Sequence, residues 1–291
     1  MPKANAVVPP AFSRSGRAGV GVPAVLGWGH WMALGFVVLL VVVAAAAPAL
    51  APHDPYVQDL ANILRTPSWS HPLGTDDVGR DILSRLMYGA RTSMFGACAA
   101  GAVALLIGLP VGLAAGAMGG AVDAMLMRIV DAMLAFPATI LALAVVGILG
   151  PGLGHAMCAI GLVYSPRLAR LLRAQVMVIR QQSFVEAARL MGMSEVAIMI
   201  RHLLPNSLRP ILVQWFLMLS FAFLAEAGLS FLGLGVQPPD ASWGQMLARA
   251  YRSMSHSGWQ IMAPGLAITA SVLALNRVGD AASRWLARRG A

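Results

Sequence analysis

Residues 92–122 read TSMFGACAAGAVALLIGLPVGLAAGAMGGAV, 31 residues without a formal charge, bracketed by Arg91 and Asp123. A helix rises about 1.5 Å per residue, so this run is long enough to cross the ~30 Å hydrocarbon core of a bilayer. Lipid leaves backbone polar groups no outside partner, which makes a helix the form such a run must take. Gly108, Gly112 and Gly116 recur every fourth position, a spacing that lets helix backbones approach closely in lipid. The whole chain has the same character: of 291 residues 58% are hydrophobic and 11% charged, with a mean hydropathy of +0.72. A soluble domain carries about 25% charged residues, so soluble enzymes and disordered chains are excluded. The formal charge of +9 then marks loops facing anionic lipid rather than a nucleic-acid partner.

Working outward, the charge-free runs predict an all-α polytopic membrane protein with six transmembrane helices. Residues 1–30 form a flexible tail. Residues 31–51 are the first span, 21 residues without charge. Ala47-Pro48-Ala49 has the small-residue form of a signal-peptidase site, but the apolar run exceeds a typical h-region and is read as a retained helix. Residues 52–91 form an outer segment rich in Pro and Asp, in which Asp81–Arg91 is expected as a short interfacial helix. Residues 92–280 are the core transmembrane domain. In it the 35 charge-free residues between Asp131 and Arg167 are too many for one helix, and Gly150-Pro151-Gly152 divides them into spans three and four. Span five runs from about Leu208 to Leu234, and span six lies between Arg252 and Arg277. Pro110 and Pro137 are placed to bend helices. Residues 281–291 form a second tail. Positive charge concentrates in 167–209, with seven Arg against Glu186 and Glu195, whereas 52–91 has four Arg against five Asp. Both termini and the loop 174–206 are therefore expected in the cytoplasm.

That loop carries the strongest local signals. Ser183-Phe184-Val185-Glu186 has the capping-box form and predicts a helix starting at Phe184, with Ser183 bonding the amide three residues on. Gly192 is placed to end the helix in a left-handed conformation. Ser194 caps a second short helix, which Pro205 is expected to close. Phe184, Ala187, Ala188 and Met191 are assigned to one face, open to a partner. The same physical signals also fit an amphipathic loop lying at the membrane interface.

Glu186-Ala187-Ala188, Gly192 six residues after the glutamate, and Leu204-Pro205 resemble the EAA loop of ABC-importer permeases. The general pattern has Ile at the position of His202, and Arg201-His202-Leu203-Leu204-Pro205-Asn206 resembles the version of the dipeptide/oligopeptide/nickel branch. His71-Pro72-Leu73-Gly74-Thr75-Asp76 with Gly79-Arg80-Asp81, Ser84-Arg85 and Tyr88-Gly89-Ala90-Arg91 resembles the outer segment of that branch. Glu226-Ala227-Gly228-Leu229-Ser230-Phe231-Leu232-Gly233-Leu234-Gly235 continuing to Pro239, then Ser242-Trp243-Gly244, resembles the end of its fifth span, and Pro264-Gly265 with Asn276 and Gly279-Asp280 its sixth. The tail from Ala281 to Trp285 departs from the acidic-Pro-Arg end expected there. The resemblance implies a type I ABC importer permease fold with a cytoplasmic coupling-helix loop, the second and shorter permease of a pair. It implies ATPase coupling through Ser183, Phe184, Glu186, Ala187, Ala188, Met191, Gly192, Leu204 and Pro205. Its partners would be a second permease, two cytoplasmic ABC ATPases as a heterodimer or fused chain, an extracytoplasmic substrate-binding protein and membrane lipid, with no nucleic acid. The setting would be a bacterial inner membrane and the cargo di- or oligopeptides, with nickel or another small solute as the alternative.

Lys3 is the only lysine, so the chain has no GxxxxGK(S/T) loop, and ATP with its Mg belongs on the partner ATPases. The chain is expected to hold no cofactor and to carry no catalytic residue. His30, His53, His71, His155, His202 and His256 make no HExxH-type spacing, and two cysteines give no metal cluster. Gly228-Leu229-Ser230 lacks the second glycine of a hydrolase elbow, Leu232 standing there. Asp123, Arg128 and Asp131 cluster, with a local Arg128–Asp131 pair expected. Glu226 interrupts an apolar run, where an acid costs about 2.5–3.5 kcal/mol. It either lines the pathway or makes a structural hydrogen bond, and the second reading is taken. A self-sufficient secondary transporter would show internal repeats and midplane ionisable pairs; no repeat is visible.

Overall fold

The computed structural model describes residues 27–288, with side chains to 285. Residues 1–26, most of the expected first tail, and 289–291 lie outside the described residues. The described residues are predominantly helical. α1 (Trp28–Leu50) is followed by an irregular segment containing a 3-10 turn at Leu60–Asn62. Then come α2 (Ile82–Met118), α3 (Gly120–Leu134), α4 (Ala138–Leu149), α5 (Leu153–Ile179), α6 (Ser183–Leu190) and α7 (Glu195–Ile198). A π-turn at Met199–Leu203 leads into α8 (Leu204–Phe231), and α9 (Trp243–Arg252) and α10 (Met262–Arg288) complete the chain.

Four stretches are long and apolar enough to cross a membrane: Trp28–Leu50, Ile82–Met118, Glu195–Phe231 and Trp259–Trp285. A further candidate is α3 with α4, bent by 94° at their junction. Pro137 caps α4, and with no N–H to offer it does not carry α3 onward, so the bend expected at Pro137 is a full break between two helices. Pro110, by contrast, lies within a continuous α2. The expected separate helix at 81–91 is absorbed into that same helix, because Asp81 caps it by accepting from the Ser84 amide at 2.8 Å. α10 runs on as helix through 281–288, the described part of the expected second tail.

α2 and α5 form the spine of the bundle. They run in the same direction, since the contacts advance together along both chains: Gly96 meets Leu153 and Met157, Gly108 meets Ser165 and Leu168, and Gly116 meets Arg173 and Val176. A Cβ at Gly112 would lie 2.5 Å from the Ala169 carbonyl oxygen and 2.9 Å from the Leu172 Cβ. The fourfold glycine spacing thus does what it predicted and brings one backbone against another. Two helices running the same way need a return between them, and the bent α3–α4 pair supplies it. At one end of the bundle α5 begins where α8 finishes, with the Gly152 amide donating to the Leu234 carbonyl at 3.1 Å. That end also holds 51–81 and α9. The opposite end holds α6, α7 and the start of α8.

Candidate functional site

α6 lies at the loop end and starts one residue earlier than expected. Its N-cap is Gln182, without a side-chain cap bond, so Ser183 stands inside the helix and the capping box does not form. Extended backbone at Gln182 takes the cap position and leaves the Ser183 hydroxyl on the exposed surface. The C-terminus behaves as Gly192 required. Gly192 has φ +82°, its amide donates to Arg189 O at 2.9 Å, and the Met193 amide donates to Ala188 O at 3.2 Å. This pair of bonds is a Schellman motif, which reverses the chain in two residues. Ser194 then caps α7, accepting from the Ala197 amide at 3.3 Å. Arg189 and Glu195 close the elbow from outside through two bonds of 2.7 and 3.1 Å, and the Glu195 carboxylate holds the Arg189 guanidinium above its ordinary pKa.

The sides of α6 are distinct. Val185 and Ala188 are buried, so Ala188 belongs to the inner face and not with Phe184, Ala187 and Met191 as the sequence suggested. Phe184, Glu186, Ala187 and Met191 face outward, and Leu190 beside them is 85% exposed. Val196 and Ile200 extend this exposed apolar surface across the elbow. Sequence reading passed over these last three, although Ile200 follows Val196 by four positions, one helical turn. Large side chains exposed together in a short capped elbow are the composition of a docking surface.

Pro205 does not close the second short helix. The π-turn carries the chain into α8, with Pro205 in its first turn, where a missing N–H costs little. Leu204, partly buried, opens α8, and the Ser207 hydroxyl donates to the Leu203 carbonyl at 2.7 Å. The elbow is therefore joined to a 28-residue helix with no loop between.

Glu226 lies near the far end of α8 and is fully buried. The Ser230 hydroxyl donates to its Oε1 at 2.7 Å and accepts from the Val236 amide at 3.1 Å. The Ser93 hydroxyl of α2 and the Ser242 hydroxyl that caps α9 stand beside the same carboxyl, while its Oε2 has no partner among the described residues. Trp243 fixes α9 to α2 by donating from Nε1 to the Leu86 carbonyl at 2.8 Å. Arg85, also buried, donates to the Pro55 carbonyl at 2.9 Å and ties the 52–81 segment to α2. Near the loop end, Asp123 and Asp131 pair with Arg173 and Arg170 of α5 instead of with Arg128. The Arg173–Asp123 pair is two-pronged, with Nη2 2.6 Å from Oδ2. α5 brings its arginines across to α3, a partnership between helices that local spacing cannot reveal.

An apolar groove of about 170 Å³ opens between α4, α5 and α8, lined by Ala142, Tyr164, Phe221, Leu224, Gly228 and Leu232.

Residues 108–290 match the family described as binding-protein-dependent transport system inner membrane component. Residues 29–67 match the N-terminal TM domain of oligopeptide transport permease C. A di/tripeptide transport system permease protein of Pseudomonas aeruginosa is 43% identical over 251 residues, 84% of this chain and 83% of its own length. A dipeptide transport system permease protein of Alkalihalophilus pseudofirmus is 42% identical over 240 residues, 82% and 79% of the two chains. A glutathione transport system permease protein of Pectobacterium atrosepticum is 39% identical over 246 residues, 84% and 82%. Among solved structures, an inward-facing form of the MetNI methionine ABC transporter aligns with a TM-score of 0.56 at 19% identity, over 70% of this chain and 97% of that one, which speaks for the fold. The all-helical bundle, its parallel α2–α5 spine and these matches agree: the chain belongs to the family of binding-protein-dependent transport system inner membrane components, the permeases of ABC importers.

Proposed function

We propose that the chain is the shorter of two permease subunits in an ATP-driven importer of short peptides, with the loop 174–206 as its coupling device. The observation that carries this reading is the unbroken connection from the elbow to α8. Phe184, Ala187, Leu190 and Met191 offer an exposed face. The Schellman turn and the Arg189–Glu195 pair stiffen the elbow behind it. The π-turn passes directly into a helix that ends in the Glu226 knot. A push on α6 is therefore transmitted to the other end of the molecule as rigid-body motion, which is what rocking between inward- and outward-open states requires.

In this reading the chain makes six passes, with α5 counted beside the four long apolar stretches and the bent α3–α4 pair. α2 and α5 run the same way with α3–α4 returning between them, α8 runs back from the loop end, and α1 and α10 flank them. The loop and both termini then face the cytoplasm of a bacterial cell and the 52–81 end faces outside, an orientation supported by the arginine excess of 167–209. The groove lined by Phe221, Leu224 and Leu232 is the face that meets the second permease. Of two ATPases, which hold ATP and Mg, one docks on α6, and a substrate-binding protein delivers cargo to the outer end. The chain itself performs no covalent chemistry. Glu226 serves packing, since its carboxyl faces serines of three elements and not an open cavity. Peptide cargo rests on the names of the relatives, which are dipeptide and di/tripeptide permeases.

Uptake by proteoliposomes tests the reading. The chain assembled with its second permease, ATPases and binding protein accumulates a labelled dipeptide only with ATP inside the ATPase compartment. Accumulation by this chain alone would make it a secondary transporter, and uptake of nickel in place of peptide would move it to the alternative cargo.

A further inference from the structure

Three donors that are remote in sequence meet at the 52–81 end: His53 just beyond α1, His71 in the irregular segment, and Asp81 at the cap of α2. Their ligand atoms all lie within 4.8 Å of one another. His71 Nδ1 is 3.0 Å and His53 Nδ1 3.9 Å from the same oxygen, Asp81 Oδ1. The two imidazoles lie side by side, with centroids 4.7 Å apart and planes tilted by 31°. We propose that His53, His71 and Asp81 form a binding site for a divalent transition-metal ion of the zinc class.

The distances suit such an ion. Zinc holds nitrogen and carboxylate oxygen at about 2.0–2.2 Å, so two ligands on a tetrahedral ion stand about 3.3 Å apart. The observed 3.0 and 3.9 Å lie on either side of that figure, and small rotations of the two rings bring them to it. Two imidazoles and one carboxylate are the donor set of open zinc sites, in which water fills the remaining position. Here solvent has access along His53, whose side chain is 43% exposed, whereas Asp81 is 1% exposed.

The carboxylate is also held for the task. Ser84 donates to Asp81 Oδ2 from both its amide, at 2.8 Å, and its hydroxyl, at 2.7 Å, leaving Oδ1 turned to the histidines. The Ser84 hydroxyl in turn accepts from the His53 amide at 3.0 Å. One buried serine thus orients the carboxylate and anchors the backbone of a second ligand, the outer-shell support that metal ligands ordinarily have. An ion bound here would replace the His71–Asp81 hydrogen bond and clamp the chain leaving α1 onto the start of α2.

The site does not depend on what the importer carries, and its test does not read transport. The full complex, purified without a polyhistidine tag and freed of metal by chelator, is titrated with zinc sulfate by calorimetry and with cobalt chloride by absorption. Wild type is compared with His53→Gln and His71→Gln. Saturation with one more ion per complex than either variant, together with cobalt bands of low-symmetry four- or five-coordination lost in both variants, is expected. The affinity at this site falls at least about tenfold on loss of one ligand. His53→Gln, at an exposed position, keeps the folded complex and makes the comparison valid even if His71→Gln assembles poorly. Equal zinc stoichiometry and affinity in wild type and His53→Gln would overturn the proposal, as would the absence of any zinc uptake by the wild type.

Discussion

Replacing Gly112 with alanine tests the close contact between α2 and α5. The added Cβ would stand 2.5 Å from the Ala169 carbonyl oxygen and 2.9 Å from the Leu172 Cβ. Ordinary contact begins near 3.4 Å, so the deficit is 3.4 − 2.5, or 0.9 Å, against a backbone atom that cannot rotate away. α2 and α5 must then part by a large fraction of an ångström along a seam that also includes Gly108 and Gly116. Overpacking of this kind costs about 1–3 kcal/mol. That is roughly a five- to 150-fold change in an equilibrium constant. Gly147 in α4 is the matched control, with no atom within 4 Å of its added Cβ, where alanine gains up to about 1 kcal/mol of helix propensity. Thermal unfolding of the purified complex, followed by its monodisperse fraction, is the assay. Gly112→Ala is expected to lower the midpoint by about 2–12 °C, and Gly147→Ala to leave it in place or raise it. A Gly112→Ala midpoint equal to wild type, with Gly147→Ala destabilised, would refute the close-packed spine.

Gly192→Val, at φ +82° with open space around the position, costs about 1–2 kcal/mol through backbone strain alone, and should uncouple ATP hydrolysis from uptake while leaving membrane insertion normal. Glu226→Gln retains an acceptor for Ser230 and should leave uptake of cationic and anionic peptides alike. Glu226→Leu should lower the yield of assembled complex, and charge-selective kinetics in Glu226→Gln would instead put this residue on the pathway. A double-mutant cycle of Asp123→Asn with Arg173→Gln should give a coupling of about 0.2–1 kcal/mol, because both side chains retain solvent access; zero coupling would remove the pair from the account.

Much of this architecture was legible in the sequence because charge-free length, glycine spacing and the left-handed glycine each act locally. The run 92–122 lies in α2 as far as Met118, Gly108, Gly112 and Gly116 touch α5, and Gly192 ends α6 in a left-handed turn. What was missed depends on partners distant in the chain or on competition for a cap. Ser183 lost the cap to Gln182, and Ala188 turned inward with Val185 because the core beneath α6 needed both. Asp123 and Asp131 found arginines on α5 that were nearly forty or more residues away, a pairing that only the parallel docking of α2 and α5 creates. Pro205 was read as a stop, yet a π-turn admitted it as a start. His53, His71 and Asp81 showed no motif spacing because three segments deliver one ligand each.

The central claim is that α6 receives the ATPase. Met191→Cys, in a background with Cys98 and Cys158 replaced, places a thiol on the exposed face of the elbow, and Ser68→Cys places one at the opposite end. Treatment of the assembled complex with a short bifunctional thiol reagent should join Met191→Cys to an ATPase subunit, in a yield that changes on adding ATP, and should leave Ser68→Cys without that product. An ATPase adduct formed by Ser68→Cys and not by Met191→Cys would contradict the account.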